Sequence, residues 1–253
     1  MTTTEGSFVW HELMTGDPAA AEDFYAKVVG WTMADAGMTE MRYTLAKVGE
    51  RHVAGLMGFP PDVPNPRPAW MGYIAVDDVD AMAARVKQAG GAEYRAPDNI
   101  PNVGRFAVMA DPDGAVFMLF RGDGTPAPDL APGTSGSVAW HELHSRDWEK
   151  AFAFYEGLFG WQKQEAIDMG PTGTYQIFSI GGTPSGGMMN NPDAPAAFWL
   201  YYFAVDNIDA AVGRLTDAGG KVINGPMEVP GGMWVINALD PQGAMFALVG
   251  PRS

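Results

Sequence analysis

Trp10-His11-Glu12-Leu13, followed by Asp17, Phe24-Tyr25 and Gly30-Trp31, returns as Trp140-His141-Glu142-Leu143, Asp147, Phe154-Tyr155 and Gly160-Trp161, displaced by 130 positions. Further along, Ala75-Val76-Asp77, Ala89-Gly90-Gly91 and Asp111-Pro112 recur as Ala204-Val205-Asp206, Ala218-Gly219-Gly220 and Asp240-Pro241, displaced by 129. A drift of one residue leaves little room for differences in loop length. A period this long denotes a duplicated domain, not a solenoid of small units.

Working outward from the first copy, Phe8 to Met14 reads as a strand, and Asp17-Pro18 supplies a helix N-cap and a proline at the first helical position. Ala19 to Val29 follows as helix, with Ala21, Phe24, Tyr25 and Val28 on one face and Gly30 closing it. Strands are expected at Met41 to Val48 and His52 to Met57, then a proline-dense connection from Pro60 to Pro68 and a strand from Met71 to Val76. A second helix from Asp78 to Ala89 turns Met82, Val86 and Ala89 inward and ends at Gly90-Gly91. Strands Phe106 to Ala110 and Val116 to Arg121 flank the turn Asp111-Pro112-Asp113-Gly114. The second half repeats the plan, with helices Trp148 to Phe159 and Asn207 to Ala218 and a final turn at Asp240-Pro241-Gln242-Gly243. The class is α+β, with two βαβββ units in each half. A stretch rich in Gly, Pro, Thr and Ser reads as a linker, giving domains at 1–122 and 138–253 joined by 123–137. Gly181-Gly182, Gly186-Gly187 and Gly231-Gly232 lack the spacing of a dinucleotide-binding loop and read as hairpin turns.

With 253 residues, 47% of them hydrophobic, two domains can each bury an ordinary core. A net charge of −14 repels phosphate backbones and anionic lipid, so neither nucleic acid nor membrane is an expected partner. The absence of cysteine removes disulfides, thiolate nucleophiles and cysteine metal sites, and agrees with a reducing compartment. Met1 to Ser7 carries no basic segment followed by an apolar core, and the longest apolar run, Phe198 to Val205, is too short to cross a bilayer. The expected location is cytoplasmic.

The strand, the capping Asp, the helix ending Phe-Tyr, the Gly-Trp pair and the later Ala-Val-Asp-Asp-Val-Asp, Ala-Gly-Gly and Asp-Pro-Asp-Gly-Ala segments resemble the vicinal oxygen chelate superfamily of glyoxalase I, bleomycin-resistance proteins and extradiol dioxygenases. The likeness covers nearly the whole chain twice. Trp-His-Glu-Leu, Ala-Gly-Leu-Met and Gly-Arg-Phe-Ala are similar to segments of its two-domain glyoxalase-like or hydroxylase branch. The resemblance implies that paired units curl into an open, incomplete barrel around a ligand cleft. It also implies domain pairing, either within one chain as a monomeric pseudo-dimer or in a homodimer. Family members with metal chemistry place His, Gln or Glu at matching strand positions. Aligned on the capping Asp, those positions carry Trp10, Trp140, Met71, Leu200, Met118 and Ala247, and the Ala54 to Met57 and Gly186 to Met189 regions also lack ligands. A divalent ion needs three or four oxygen or imidazole donors from the protein. No cofactor and no metal ligand is therefore expected, and a divalent metal is the alternative.

Alternation along the first strand sets the candidate chemistry. If Trp10 faces the cleft, so do Glu12 and Met14, and in the second half Trp140, Glu142 and His144. Glu142 can then orient His144 for proton transfer, so Glu12, Glu142 and His144 are the catalytic candidates. In the competing reading the two glutamates cap backbone groups or pair with an arginine, and His144 sits in solvent at the strand mouth. If His11 and His141 face the cleft instead, they become the repeated imidazoles of interest, although Leu13 and Leu143 share their face and look like core. Arg105, whose repeat equivalent is Trp234, can hold an oxyanion by paired donors or else pair with Asp111 or Asp113, while Trp234 offers an aromatic wall. Trp10, Met71, Arg105, Met118, Trp140 and Trp234 are the candidate ligand-binding residues, and methionines including Met188 and Met189 suit a pliable pocket for a flat small molecule. Two functions follow: metal-free isomerase, lyase or oxygenase chemistry, or sequestration of a toxic or antibiotic ligand without turnover. A metal-dependent glyoxalase-type or dioxygenase activity is the third.

Overall fold

The computed structural model describes residues 4–38, 41–61, 63–124 and 130–252. Residues 125–129 of the expected linker lie outside the described residues. Four βαβββ modules follow one another along the chain. The first is β1 (Phe8–Thr15), α1 (Pro18–Val29), β2 (Thr32–Asp35), β3 (Tyr43–Val48) and β4 (Arg51–Gly58). The second is β5 (Ala69–Ala75), α2 (Val79–Gln88), β6 (Ala92–Ile100), β7 (Gly104–Ala110) and β8 (Val116–Gly122). The third is β9 (Val138–Ser145), α3 (Trp148–Phe159), β10 (Gln162–Asp168), β11 (Thr174–Ile180) and β12 (Thr183–Asn190). The fourth is β13 (Phe198–Ala204), α4 (Ile208–Asp217), β14 (Lys221–Val229), β15 (Met233–Leu239) and β16 (Met245–Pro251). Within each module the first strand pairs in parallel with the last and the others pair antiparallel, in the orders β2-β3-β4-β1, β5-β8-β7-β6, β10-β11-β12-β9 and β13-β16-β15-β14. The α+β class and the doubled βαβββ plan are as the repeat implied.

The helices form where their capping residues place them. Asp17, Asp78, Asp147 and Asn207 each accept a hydrogen bond at the side chain from the backbone N–H three residues on, which satisfies one of the orphan donors at a helix start. Gly30 and Gly160 close α1 and α3 in the left-handed conformation, with φ of 89° and 69°. Two expectations need correction. Ala89 is the exposed C-cap of α2, and Val79 and Ala83 join Met82 and Val86 on its buried face. Gly186-Gly187 lies inside β12, whereas Gly181-Gly182 and Gly231-Gly232 are turns. Strands β2 and β6 carry no clear apolar alternation; β6 is an outer strand in which Glu93, Arg95, Asp98 and Asn99 surround Pro97, and its pairing with β7 shifts register between Arg95 and Asp98.

Compact units cut across the two chain halves: one comprises residues 1–9, 71–128 and 140–199, the other 10–70, 129–139 and 200–253. Each unit is closed by the same buried chain of hydrogen bonds, built from motifs of opposite halves. In the first, Trp199 Nε1 donates to Tyr155 Oη (3.0 Å), whose hydroxyl donates to Asp111 (3.2 Å), and Asp111 also accepts from the N–H groups of Asp113 and Ala115. In the second, Trp70 Nε1 donates to Tyr25 Oη (2.8 Å), Tyr25 donates to Asp240 (3.2 Å), and Asp240 accepts from Gln242 and Ala244. The repeated Phe-Tyr and Asp-Pro motifs are thus partners, each tyrosine serving the turn of the other half. Around them pack Trp161, Phe178, Phe117 and Phe159 in one unit, and Trp31, Phe203, Phe246 and Phe24 in the other.

Burial pushes the Asp111 carboxyl up to about 6, against its hydrogen bonds, and desolvation pushes the half-buried His141 imidazole down to about 4. The two act oppositely on stability. Asp111 stabilises the fold when protonated, a contribution lost as pH rises from about 4 to about 6. His141 stabilises it when neutral, a contribution lost as pH falls from 6.5 towards about 4. Asp111→Asn removes the first without the second. Urea unfolding of the variant between these pH values is therefore expected to show stability rising with pH more steeply than in the parent, and parallel curves would contradict the assignment.

Candidate functional site

The first strand of each half divides its residues between two faces. Leu13 is fully buried beside Leu56, and Leu143 beside Met188, on the face covered by the helix. His11 and His141 point the same way. His11 meets the Tyr201 ring edge-on at 5.0 Å, while His141 stacks on Phe8 at 4.1 Å and donates from Nδ1 to the Ser185 carbonyl (2.9 Å). Met188 is fully buried there as well, so it lines the core; Met189, opposite His144, lies on the other face.

That other face carries a construction repeated in both halves. Glu12 lies opposite Gly55 in the β1–β4 ladder, and Glu142 opposite Gly187 in the β9–β12 ladder. A Cβ at either glycine would run into a tyrosine ring, because Tyr43 lies across Gly55 and Tyr175 across Gly187. Each tyrosine thereby reaches the glutamate. Tyr43 donates to Glu12 Oε2 (2.7 Å) and accepts from Trp10 Nε1 (2.9 Å). Tyr175 donates to Glu142 Oε2 (2.9 Å) and accepts from Trp140 Nε1 (2.7 Å). Burial, then the adjacent glutamate, holds both phenols well above their ordinary range, so they stay protonated donors. Both glutamates thus accept from tyrosine hydroxyls, a partner that neither reading of the sequence named.

The second half extends the chain through a histidine. His144 Nε2 lies 2.7 Å from Glu142 Oε1, Asn191 Nδ2 lies 3.2 Å from His144 Nδ1, and the Phe198 ring stacks on the imidazole at 4.6 Å with an 8° interplanar angle. Glu142 is 6% and His144 8% exposed, so the imidazole is enclosed and does not stand in solvent at a strand mouth. The first half has Met14 where the second has His144. Tyr43, Tyr175, Gly55, Asn191 and Phe198 were not singled out from the sequence, and Gly187 was read there only as part of a turn. The recurrence of a tyrosine and a strand glycine 132 positions apart was a usable signal for four of them.

The remaining candidates fall elsewhere. Trp10 and Trp140 belong to the tyrosine networks, both half-buried. Met71 is half-buried on β5, and Met118 is buried on β8 opposite Tyr73. Arg105 binds neither Asp111 nor Asp113. Its guanidinium is engaged in a two-point pair with Asp80 in the first turn of α2 (2.6 and 2.8 Å), and also by Asn99 and the Pro97 carbonyl. Trp234 is half-buried on β15 with the Arg252 guanidinium 4.4 Å above its ring. His52 is exposed, on β4 instead of in a loop.

Among the described residues no three His, Cys, Asp or Glu side chains are grouped as a metal would need. Glu142 and His144 offer two donors, already bonded to each other and to Tyr175 and Asn191. Three or four are required to hold a divalent ion. The donor set does not fit a resident metal. No helix of the described residues is long and apolar enough to cross a membrane.

Comparison with known proteins agrees with this architecture. The model of the Glyoxalase/Bleomycin resistance protein/Dioxygenase superfamily matches residues 7–119 and again 137–248. The glyoxylase-named protein CFP32 of Mycobacterium tuberculosis is 33% identical over 98% of this chain and 95% of its own length. The anthracycline biosynthesis protein DnrV of Streptomyces peucetius is 34% identical over 96% of this chain and 93% of its own. Among solved structures, the Mn(II)-bound glyoxalase from Novosphingobium aromaticivorans superposes with a TM-score of 0.67 at 20% identity, covering 99% of this chain and 83% of that one. The 2,3-dioxygenase LapB from Pseudomonas gives 0.68 at 14% identity, covering 99% and 94%. At such identities these two establish the fold alone. With both halves matched by one family model and a duplicated βαβββ plan beneath them, the chain belongs to the Glyoxalase/Bleomycin resistance protein/Dioxygenase superfamily.

Proposed function

We propose that the protein binds a flat aromatic small molecule against the Glu142 face of the second half and removes a proton from its acidic carbon or phenol without a metal. The observation that carries this reading is the 2.7 Å contact between His144 and Glu142, an imidazole paired with a carboxylate and present in one half only. An imidazole so paired can serve as a general base. The half-buried indole of Trp140 and the Met189 side chain on the same face supply the apolar surface. The name of DnrV, an anthracycline biosynthesis protein, supports a polycyclic aromatic substrate, and metal-bound relatives such as the Mn(II) glyoxalase mark the competing chemistry. Glu12 lacks a histidine two residues on, so its half is assigned to holding ligand. Arg105, Met118 and Trp234 are not placed in the machinery.

The test uses anthrone, a flat ketone with an acidic methylene, in deuterated buffer with chelator present. The parent protein is expected to accelerate exchange of the methylene protons at least tenfold over buffer, a modest share of what a positioned base supplies. Saturable binding of the flat dye quinizarin with no exchange would overturn catalysis and leave ligand sequestration, the reading favoured by the engagement of both Glu142 oxygens by protein donors.

A further inference from the structure

We infer that Asn191 is a positioning residue that, with Glu142, holds His144 as its Nε2–H tautomer and so makes Nδ1 the proton-accepting atom. This rests on the proton-abstraction reading for its use in turnover, but not for the tautomer itself. A carboxylate oxygen without a proton can only accept, so the 2.7 Å contact to Glu142 Oε1 requires a proton on His144 Nε2. Tyr175 donates to the other oxygen of the same carboxylate, so donors converge on Glu142 from both sides. A neutral imidazole then has its lone pair on Nδ1, and there the Asn191 amide Nδ2 is placed as donor at 3.2 Å. Trp140, Tyr175, His144 and Asn191 thus form one directed chain that ends on Glu142.

Asn191 is itself fixed. Its backbone N–H donates to the Ser145 carbonyl (2.7 Å) at the end of the β9–β12 ladder, and its carbonyl accepts from Ala194. The stacked Phe198 ring holds the imidazole plane. The ladders give the corresponding place in the first half: Thr15 pairs with Gly58 as Ser145 pairs with Asn190, so Asn191 corresponds to Phe59 and His144 to Met14. Histidine and asparagine are both replaced by apolar residues in the half that lacks the dyad, as expected of a pair that acts together. The link from Asn191 is the longest in the chain, and it is the one that yields when a substrate C–H or O–H approaches Nδ1. The substrate hydrogen bond to carbon or oxygen breaks, an Nδ1–H bond forms, the electron pair stays on the substrate as enolate or phenolate, and the imidazolium is held by Glu142.

Four histidines make this directly measurable. In protein labelled with ¹⁵N-histidine, ring correlation spectra at neutral pH, with His144 assigned by its loss in His144→Phe, are expected to show neutral His144 protonated at Nε2. Asn191→Ala is expected to admit the Nδ1–H form, and Asn191→Asp to convert the ring to imidazolium. In the anthrone assay Asn191→Ala is expected to lower kcat about tenfold with KM within about twofold, as for outer partners of other functional imidazoles. A parent His144 protonated at Nδ1, or a tautomer unmoved by Asn191→Ala, overturns the inference. Absence of anthrone exchange in the parent, with the tautomer as stated, overturns the proposed reaction and leaves the positioning intact.

Discussion

Replacing Glu142 with Gln and His144 with Phe together is expected to lower anthrone exchange on the order of a hundredfold or more, the range for losing a general base, while quinizarin affinity stays within about threefold. The argument is one of geometry. The imidazole is less than a tenth exposed and its two nitrogens face Glu142 and Asn191, so no bulk water substitutes for it at the reacting position. Phe at 144 preserves the stack on Phe198, and Gln at 142 keeps an acceptor for Tyr175, so the surface presented to a flat ligand is retained. Unequal effects separate the roles. Glu12→Gln, altering the half without a histidine, is expected to change exchange less than threefold. A hundredfold loss from Glu12→Gln, or unaltered exchange in the double variant, would place the base elsewhere.

Gly187→Ala is expected to destabilise the protein by about 2–3 kcal/mol, the usual cost of overpacking a filled space, and to impair exchange with it. The added Cβ falls within the Tyr175 ring, so the ring must leave the floor it lies on, and with it goes the hydroxyl that holds Glu142 Oε2. Gly157, exposed on α3 with open space around its Cβ position, makes the contrast. Gly157→Ala is expected to stabilise by about 0.5–1 kcal/mol through backbone entropy. Urea denaturation of the pair checks both signs, and equal effects would show that the strand glycine is not kept for the ring. Tyr175→Phe isolates the hydroxyl from the ring. It leaves Trp140 Nε1 and Glu142 Oε2 without their shared partner, and is expected to cost about 1–3 kcal/mol as unmet buried groups do.

Local chemistry made much of this molecule legible in its sequence. Asp17-Pro18 and Gly30 bounded α1 to within a residue, because capping depends on neighbours in the chain. Strand alternation put Glu142 and His144 on one face two residues apart, which is why their contact was foreseen. What escaped depends on partners distant in sequence. Asn191 meets His144 only because β12 runs parallel to β9 and delivers its following loop to the end of that strand. For Arg105 the sequence offers an oxyanion in the cleft or the nearby turn aspartates as partner, but α2 begins beside β7 and presents Asp80 instead. Gly186-Gly187 looked like a turn from composition, but it lies inside β12, where the Phe178 ring takes the space of a side chain at the first glycine and the Tyr175 ring takes it at the second. The outer strand β6 carries mostly exposed polar residues and so lacks the alternation that marks a half-buried strand.

The central claim is that the Glu142–His144 pair moves a proton with no resident metal, and the direct test is the anthrone exchange rate before and after exhaustive chelation, with native mass recorded on the same samples. The account predicts a native mass equal to that of the bare chain and one rate in both samples. A mass excess matching one or two transition-metal ions, together with exchange abolished by chelation and restored by Mn(II), would contradict it.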